Sequence, residues 1–577
     1  MTRWAHRGLG VATGLITACV AIGVAQLVAG ITGAQGSPVV AVGGLAIDNT
    51  PPPVKNFAIS AFGSHDKTVL VAGILVVLAV FAALIGVAAM RRLGYGMAGL
   101  GVFTLIGLGA VATRPDHSAI DTLPVLIGAA AGAFAMARLV RAAAADEQAA
   151  SAGEQAVPPP PVPSGSGATS ATGQPDRAEP LPGATGPMAD TGGQAGDGPP
   201  DSPGTSWVPS VPPPEPAASA PQPGRRAFLI TSSVVVGVAG ASALVGQRLA
   251  GPSSAVVQAR TTLRIPRPAH PAPPLPAGAS LDINGLSRFI TPNSAFYRVD
   301  TAIILPEVDP ASWQLRIHGM VDRELTITFA DLLRMPLTED YITLCCVSNP
   351  VAGPYIGNAK WLGASLASLL RSAGIKAGAD QLLCTSTDGF TSGTPVQVVM
   401  DGRDALLAVA MNGTPLPVAH GFPARLVVPG LYGYVSACKW VTDINVTTFA
   451  DAQGYWVPRG WSQQAPIKTE SRIDVPNGSA TLPAGRTAVA GVAWAQHKGI
   501  DAVEVRVDRG PWHRARLAAV PGIDTWRQWV WDWDASPGSH LIEARATDAT
   551  GYTQTALQAP PEPNGATGYP TVTVSVH

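Results

Sequence analysis

Four long apolar runs stand out in the N-terminal part of the chain, separated by more polar stretches: Leu9–Ile31, Val69–Met90, Leu93–Thr113 and Leu123–Val140. Each has about 18 to 23 residues, enough for an α-helix to cross the roughly 30 Å hydrocarbon core of a bilayer. The pattern predicts a four-helix membrane region over residues 1–141. A cleaved signal peptide is the weaker interpretation of the first run, because no small-residue cleavage motif follows it.

Basic residues predict how these helices are oriented. Arginine pairs occur at Arg3 and Arg7, at Arg91 and Arg92, and at Arg138 and Arg141. If all four runs cross the membrane, the three pairs lie on one side, and an excess of arginine marks the cytoplasmic side. We therefore expect a multi-pass protein of the cell (plasma) membrane with its N-terminus in the cytoplasm.

Residues 142–224 change abruptly to a composition of Ala, Pro, Gly and Ser, with proline runs at 158–163 and 211–216. Such a segment contains too few apolar residues to form a core, so we expect a disordered linker. A ligand for a proline-recognition module is the alternative that the composition leaves open.

Arg225 and Arg226 precede Ala227-Phe228-Leu229 and an apolar run that reaches about Gly246. Paired arginines before a moderately apolar stretch are typical of a twin-arginine signal, and the run predicts a fifth transmembrane helix over 225–250. The alternative is that the two arginines are ordinary flanking charges. Both interpretations place the following domain on the extracytoplasmic side.

The remaining chain has the pattern of a globular protein. Alternating apolar and polar residues in Trp313–Gly319 predict a strand, and Ser365–Ala373 predicts a short helix, so residues 280–448 are expected to form an α+β domain. From 455 to 577 short alternating runs such as Ala502–Val507 are separated by turn residues. This second pattern predicts an immunoglobulin-like β-sandwich.

Composition supports this division. The 577 residues carry a net charge of −1, 13% are charged, and 54 are proline, so the charged fraction is about half of the usual quarter. A charge near zero argues against nucleic-acid binding. Five cysteines in so long a chain are too few for a disulfide scaffold, so any important cysteine acts individually.

Cys345 and Cys346 are adjacent, and no C-x-x-C motif accompanies them. Neighbouring residues on a strand face opposite sides, so the pair is not expected to chelate one metal together. A single soft thiolate is a plausible metal ligand if an organic cofactor supplies the other ligands. The alternative is that both cysteines are buried as small apolar side chains.

An ordered series of motifs from about 280 to 575 resembles the sulfite oxidase family of molybdopterin-dependent oxidoreductases. The segments that carry the resemblance are Thr291–Arg298, Thr343–Asn349, Asn358–Gly363, Met411–Pro417, His420–Gly430 and Lys439-Trp440. The C-terminal part is similar to that family's domain, which often forms dimers. The whole chain is thus expected to be multi-domain, with membrane helices, a linker, a molybdopterin-binding domain of sulfite oxidase type and a β-sandwich.

The resemblance implies a Mo-molybdopterin cofactor with a single pterin and with Cys346 as the protein ligand of the metal. It also implies cofactor-binding roles, mainly for cationic side chains, at Arg298, Asp388, His420, Arg425 and Lys439. Asn349 is expected to help shape the catalytic pocket, or alternatively to cap a turn. Tyr355, Tyr432 and Tyr434 could line its mouth, and Tyr432 is the predicted catalytic tyrosine.

The expected reaction is oxygen-atom transfer at molybdenum, on a substrate that is not necessarily sulfite. Pro350 and Val351 stand where sulfite oxidases have arginines, and Asp300 stands in place of a histidine. Fewer cations favour another sulfur oxide or a nitrogen oxide over a small anion.

Electrons must pass to or from a partner. The chain has no C-x-x-C-H haem-attachment motif, so a quinone or a separate redox protein is expected, and a homodimer could form through the C-terminal domain. The rival hypothesis is a metal-free cell-surface binding protein with the same fold. Retention of Cys346, Arg298, Arg425 and Lys439 argues against it.

Overall fold

A computed structural model describes residues 3–32, 36–51, 54, 66–113, 119–155 and 254–577, together with isolated positions between 233 and 242. The predicted linker from residue 156 onward lies outside the described residues. The Arg225-Arg226 motif and nearly all of the predicted fifth transmembrane helix lie outside them as well.

The described residues of the N-terminal region include five α-helices: α1 (Arg3–Thr32), α2 (Pro38–Asn49), α3 (Asp66–Arg91), α4 (Leu93–Ala112) and α5 (Leu123–Gln155). Four stretches in the described part of the chain are long and apolar enough to cross a membrane, namely Arg7–Thr32, Val69–Arg91, Leu93–Ala112 and Ala119–Ala144. The short helix α2 was not predicted, and α5 continues past residue 142, where the composition predicts the start of the linker.

Small residues allow α1 and α3 to approach closely. A Cβ added to Gly14 would lie 1.9 Å from the carbonyl oxygen of Ala82, and one added to Gly86 would lie 2.1 Å from that of Gly10. Only glycine fits at such contacts, and small residues at helix interfaces are the usual means by which helices pack in a lipid environment.

The next region is the predicted α+β domain, with two sheets and short helices. Its strands are β1 (Gln314–Gly319), β2 (Leu325–Thr328), β3 (Leu337–Cys345), β4 (Ile356–Ser365), β5 (Gln381–Ser386), β6 (Thr391–Pro395), β7 (Leu406–Met411), β8 (Thr414–Pro415), β9 (Arg425–Val427) and β10 (Val441–Thr447). Its helices are α6 (Ser254–Thr262), α7 (Phe329–Arg334), α8 (Leu366–Ala373), α9 (Val396–Met400) and α10 (Gly433–Ser436).

One sheet has the order β2-β1-β10-β5-β6, and the other has the order β3-β4-β7-β8 with β9 paired to β7. The predicted helix at 365–373 is observed as α8, where the Ser365 side chain accepts a hydrogen bond from the backbone N–H of Ser368 and Gly374 ends the helix at φ 72°. Serine at the N-cap and glycine after the last turn are the residues that favour these boundaries.

The C-terminal region is all β, as predicted. Its strands are β11 (Glu470–Val475), β12 (Thr481–Leu482), β13 (Gly485–Trp494), β14 (Ile500–Val507), β15 (His513–Arg514), β16 (Arg516–Leu517), β17 (Arg527–Ala535), β18 (Gly538–Asp548) and β19 (Thr571–Val576). They form a four-stranded and a five-stranded sheet, and buried residues of both sheets belong to one apolar cluster.

The C-terminal domain makes hydrogen bonds to the α+β domain next to the end of β3. The backbone N–H of Thr343 donates to the carbonyl of Asp524 at 2.9 Å, and the Gln496 side chain donates to the Thr343 carbonyl at 3.0 Å. The indole of Trp526 donates to the Phe289 carbonyl at 2.8 Å. These contacts hold the strand that ends at the cysteine pair.

Candidate active site

The cysteine pair lies at the end of β3, where alternation along the strand separates the two side chains. Cys345 is 0% exposed and belongs to the apolar core. Cys346 is partly exposed and lines a cavity. Its Sγ lies 2.9 Å from the Ser348 hydroxyl oxygen, and its backbone N–H donates to the Tyr355 carbonyl at 2.9 Å. Cys346 is therefore the cysteine that a ligand in the cavity can reach.

The cavity encloses about 970 Å³ of empty space, part of it open to solvent. Two groups of side chains stand out on its walls. The cationic wall consists of His420, Arg425 and Lys439, and the aromatic wall consists of Phe390, Tyr434, Trp456 and Trp461. Among the described residues, no group of three or more His, Cys, Asp or Glu side chains could hold a metal ion.

Arg425, the first residue of β9, is the most deeply buried cation of the site, at 5% exposure. Its guanidinium donates to the carbonyls of His420, Leu426 and Ala437 at 3.2 to 3.3 Å and lies 5.1 Å from the centre of the Trp361 ring. Burial lowers its pKa to about 10. Arg425 thus remains charged at neutral pH, with neutral carbonyls as hydrogen-bond partners.

Lys439 pairs with β9 through a bridge to Arg425, and its Nζ lies 2.8 Å from Asp300 Oδ2. Burial lowers the pKa of Lys439 to about 8, although Asp300 opposes that shift. Arg298 shares the same carboxylate at 2.8 Å, but its side chain is 40% exposed and does not line the cavity. Asp300 is therefore a common counter-ion for two of the predicted cofactor-binding cations.

His420 completes the cationic wall in its neutral form. Its Nε2 lies 3.3 Å from the Asn293 carbonyl, and its ring meets the Phe296 ring edge-on at 5.6 Å. Burial, together with the charges of Arg425 and Lys439, lowers its pKa to about 4. At neutral pH the ring offers one donor and one acceptor, so the positive charge of this wall comes from Arg425 and Lys439.

Asp388, for which a cofactor-binding role is predicted, lines the cavity, and its side chain also accepts a hydrogen bond from the backbone N–H of Phe390 at 3.2 Å. Asn349 does not line it. The Asn349 Oδ1 accepts from the Tyr355 N–H at 2.8 Å and closes the loop after Cys346, whereas its buried Nδ2 has no hydrogen-bond partner. These contacts fit the alternative role expected for Asn349, which is to cap a turn.

The structure separates the tyrosines that were expected at the mouth. Tyr434 lines the cavity, whereas Tyr432 and Tyr355 do not. Tyr432 is 1% exposed, and its hydroxyl oxygen would lie only 2.4 Å from a Cβ added to Gly565. The predicted catalytic residue Tyr432 therefore packs against the C-terminal domain, because the chain turns into α10 directly after it and directs Tyr434 to the cavity instead.

Several cavity residues were not predicted, namely Ser348, Trp456 and Trp461. Ser348 lies two residues after the cysteine, and its proximity to Sγ depends on the turn that follows β3. The two tryptophans lie in Gly454–Trp461, where three aromatic residues occur among glycine and proline. The sequence signal that could have identified the two tryptophans is the enrichment of aromatic residues in a turn-rich segment, since such residues are otherwise expected in cores.

Comparison with known proteins gives a consistent result. The family model described as "Oxidoreductase molybdopterin binding domain" matches residues 302–456. The sulfite oxidase of Gallus gallus is 32% identical over 292 residues, which cover 42% of this chain and 62% of that protein. The uncharacterized oxidoreductase YuiH of Bacillus subtilis is 31% identical over 153 residues, covering 26% of this chain and 74% of that protein.

Among solved structures, the sulfane dehydrogenase SoxCD of Paracoccus pantotrophus aligns with a TM-score of 0.43 at 25% identity, covering 50% of this chain and 83% of that one. The chain spans about half to three fifths of the length of the vertebrate sulfite oxidases that it matches.

The residues around Cys346 fit a molybdopterin cofactor. Arg425 is a buried cation at this cavity whose hydrogen bonds go to neutral carbonyls. A phosphate-bearing pterin supplies an anion and hydrogen-bond acceptors, and a charge-assisted bond from a guanidinium is among the strongest contacts for a phosphate. The thiol of Cys346 offers a soft ligand at the same cavity.

Proposed function

Because the chain belongs to the sulfite oxidase family and is a molybdenum oxidoreductase with a Mo-molybdopterin cofactor, we propose that it is a membrane-anchored enzyme of oxygen-atom transfer. In this proposal the Cys346 thiolate holds the metal. The observation that supports it most is the position of Cys346, the one of the two adjacent cysteines that lines the cavity of the cationic wall. The proposed substrate is a sulfur or nitrogen oxide and need not be sulfite.

The side chains of the chain have separate roles in this proposal. Cys346 is the metal ligand, and Ser348 donates a hydrogen bond to its sulfur once the thiol has lost its proton. Arg425 and Lys439 bind the phosphate and the edges of the pterin, and His420 adds a neutral hydrogen-bonding group. When bound, the molybdenum group supplies the oxygen-atom exchange. Arg298 acts through Asp300, with which both it and Lys439 pair.

We propose the plasma membrane as the location, with the catalytic domain on the extracytoplasmic side. Support comes from the four helices that are long and apolar enough to cross a membrane and from the arginine pairs on one predicted side of them. The twin-arginine motif at Arg225 and Arg226 adds to this proposal, since that route exports domains already folded around a cofactor.

The electron partner in this proposal is a quinone or a separate redox protein, and the C-terminal domain is of the immunoglobulin-like, dimer-forming type. Both features follow from the family rather than from a contact in the chain. The two sheets of that domain and their shared apolar core are compatible with such a sandwich.

The test is metal and pterin analysis of full-length protein purified from a molybdenum-replete host. Wild-type protein is expected to contain stoichiometric molybdenum and pterin. Cys346→Ser is expected to lose most of the molybdenum, because a hydroxyl is a far poorer ligand than a thiolate for a soft, redox-active metal. Molybdenum is quantified by mass spectrometry and the pterin by fluorescence after oxidative release.

Cys345→Ala is the matched control, because Cys345 is buried in the core and its loss removes one sulfur without touching the cavity. It is expected to keep the metal. Undetectable molybdenum in the wild-type protein would contradict the proposal, and so would equal metal content in wild-type protein and Cys346→Ser.

A further inference from the structure

The aromatic wall is part of a continuous series of rings along one side of the cavity. The ring centres of Phe390 and Tyr455 are 5.8 Å apart, those of Tyr455 and Trp456 5.2 Å, those of Trp456 and Trp461 6.3 Å, and those of Trp461 and Tyr434 6.1 Å. All lie in the range at which aromatic pairs attract one another. Four of the five rings line the cavity, so the wall presents a broad apolar surface to it.

Contacts behind the rings hold this wall in place. The backbone N–H of Tyr455 donates to the Thr391 carbonyl at 3.0 Å, which attaches the segment to β6. The Arg459 guanidinium lies 3.6 Å from the centre of the Tyr455 ring and donates to the Tyr455 carbonyl at 2.6 Å. The Tyr434 hydroxyl donates to the Ser462 carbonyl. The rings are therefore already ordered before any ligand enters, which lowers the entropic cost of binding.

The charged groups of the cavity do not favour a small anion as the substrate. Those that line it are Arg425, Lys439, Asp300 and Asp388. The two cations are the groups assigned above to the cofactor, and Lys439 is also paired with Asp300. Once the cofactor has taken Arg425 and Lys439, an inorganic oxyanion would meet the carboxylate of Asp388, the already paired carboxylate of Asp300 and a wall of rings. It would have no further cation among the lining residues to compensate its charge.

We infer that the aromatic wall is the substrate-binding surface of the cavity, and this inference rests on the proposed function. The substrate class that it fits is an uncharged organic thioether or its S-oxide with an aromatic or large apolar substituent. Trp456 and Trp461 are its specificity-determining residues. Sulfur near an aromatic ring is favourable by about 0.3–1.5 kcal/mol, and burial of the substituent against the rings adds the larger, hydrophobic share.

In the reducing direction the S=O bond of the S-oxide breaks, the sulfur takes up two electrons, and the oxygen takes up two protons and leaves as water. In the assay the electrons come one at a time from a reduced viologen dye. In the reverse direction the thioether gains an oxygen that originates from water, two protons are released, and two electrons pass to the quinone or redox protein of the proposed function.

The experiment compares methyl phenyl sulfoxide, dimethyl sulfoxide and sulfite as substrates of the molybdenum-loaded, full-length protein in detergent. Methyl phenyl sulfoxide is expected to have a KM at least about tenfold below that of dimethyl sulfoxide, because the phenyl group gains contact with the rings. Trp456→Ala and Trp461→Ala are each expected to raise that KM about tenfold, with little change in kcat. The KM for dimethyl sulfoxide should change about twofold or less.

Two further variants separate substrate contact from loss of packing. Trp456→Phe keeps a ring and is expected to retain most of the affinity for methyl phenyl sulfoxide. Trp512→Ala removes a tryptophan from the C-terminal domain, where its ring packs 5.4 Å from that of Tyr569, and should leave every KM unchanged. Quenching of tryptophan fluorescence by methyl phenyl sulfoxide, lost in Trp456→Ala, provides a binding measurement that needs no turnover.

The outcomes distinguish this inference from the proposed function. Turnover of sulfite, with no binding of methyl phenyl sulfoxide and no effect of the tryptophan variants, would overturn the inference and leave a molybdenum enzyme. Equal KM values for the two sulfoxides would overturn it in the same way. If molybdenum-loaded protein turns over none of the three compounds and the quenching titration shows no binding, the inference is overturned. The proposed function, which also allows a nitrogen oxide, is decided separately by the molybdenum and pterin content of the protein.

Discussion

The cationic wall and the aromatic wall face the same cavity, yet they are stabilised in opposite ways. Arg425 and Lys439 are buried charges, and burial lowers the pKa of both side chains. The rings of Trp456, Trp461 and Tyr434 contact one another and need no partner from outside the chain. The cationic wall carries an unfavourable desolvation energy that a bound anion can offset. The aromatic wall is stabilised by contacts among its own rings.

This difference indicates how the two walls respond to change. A buried charge without a full counter-charge is destabilising, so the cofactor is expected to contribute to the stability of the cationic wall. An apolar surface lined by rings can change shape with a single substitution while the rest of the site stays intact. The cationic wall should therefore determine whether cofactor is bound, and the aromatic wall should determine which substrate is accepted.

The largest expected effect comes from breaking the cationic wall. Arg425→Met keeps a long side chain but removes the guanidinium, and the loss of one partner from a buried charged contact costs about 2–5 kcal/mol. We expect pterin affinity to fall about hundredfold or more. The measurement is pterin and molybdenum content per chain after extensive dialysis.

Arg298→Met is the matched control, because Arg298 is 40% exposed and lies outside the cavity lining. It should keep most of its cofactor. If Arg298→Met loses as much pterin as Arg425→Met, the distinction drawn here between a buried binding cation and an exposed supporting one is wrong.

The two walls also differ in how far they could be predicted. His420, Arg425 and Lys439 lie in the motifs that carry the family resemblance, which named each of them as a cofactor-binding residue. In the structure, the bridge between β9 and Lys439 holds Arg425 and Lys439 next to each other. Trp456 and Trp461 lie in a turn-rich segment without strand or helix periodicity. Tertiary contacts bring that segment to the cavity, such as the hydrogen bonds from the Tyr455 N–H to the Thr391 carbonyl and from the Tyr434 hydroxyl to the Ser462 carbonyl. No local pattern encodes such contacts.

The position of Tyr432 depends on a tertiary feature of the same kind. Tyr432 and Tyr434 are two residues apart, and the sequence alone does not show which of them faces the cavity. The short helix α10 begins between them, and the C-terminal domain covers Tyr432. By contrast, strands β1 and β14 and helix α8 were predicted, because apolar alternation and helix periodicity are local signals.

A buried carboxyl group outside both walls gives the next-largest expected effect. Glu470 on β11 is 4% exposed, its Oε1 has no hydrogen-bond partner, and burial raises its pKa from 4.5 to about 8. Unlike Arg425, it avoids a buried charge by keeping its proton at neutral pH. Glu470 therefore tests whether protonation can relieve the desolvation cost of a buried ionisable group that has no ligand to compensate it.

The sign of the pH dependence follows from this shift. Between pH 4.5 and about 8 the unfolded chain has released the proton that the folded chain keeps, so the contribution of Glu470 to stability falls as the pH rises. Each unit of pKa shift corresponds to about 1.4 kcal/mol, which gives a total of a few kcal/mol. Glu470→Gln removes the titration, and we expect its melting temperature to exceed that of the wild type increasingly from pH 5 to pH 8.

Glu543→Gln is the comparison variant, because Glu543 is also buried but lies 2.8 Å from Arg506. Removing a paired carboxylate leaves the arginine uncompensated, so this variant should melt below the wild type. A constant difference in melting temperature between wild type and Glu470→Gln at all pH values would contradict the role given to Glu470.

The smallest expected effect concerns Ser348, which supports the thiolate beside the cationic wall without contributing a charge. Its Oγ lies 2.9 Å from Cys346 Sγ, and groups that hydrogen-bond to a metal ligand usually change metal affinity or activity by about 10–100-fold when they are removed. For Ser348→Ala we expect turnover to fall about tenfold, at the lower end of that range, while the pterin content stays at the wild-type level because Arg425 and Lys439 are untouched. Ser348→Thr keeps a hydroxyl and should retain most of the activity. Loss of pterin from Ser348→Ala would mean that the loop after β3 helps to bind the cofactor, and the assignment of that task to the cationic wall would then have to be extended to Ser348.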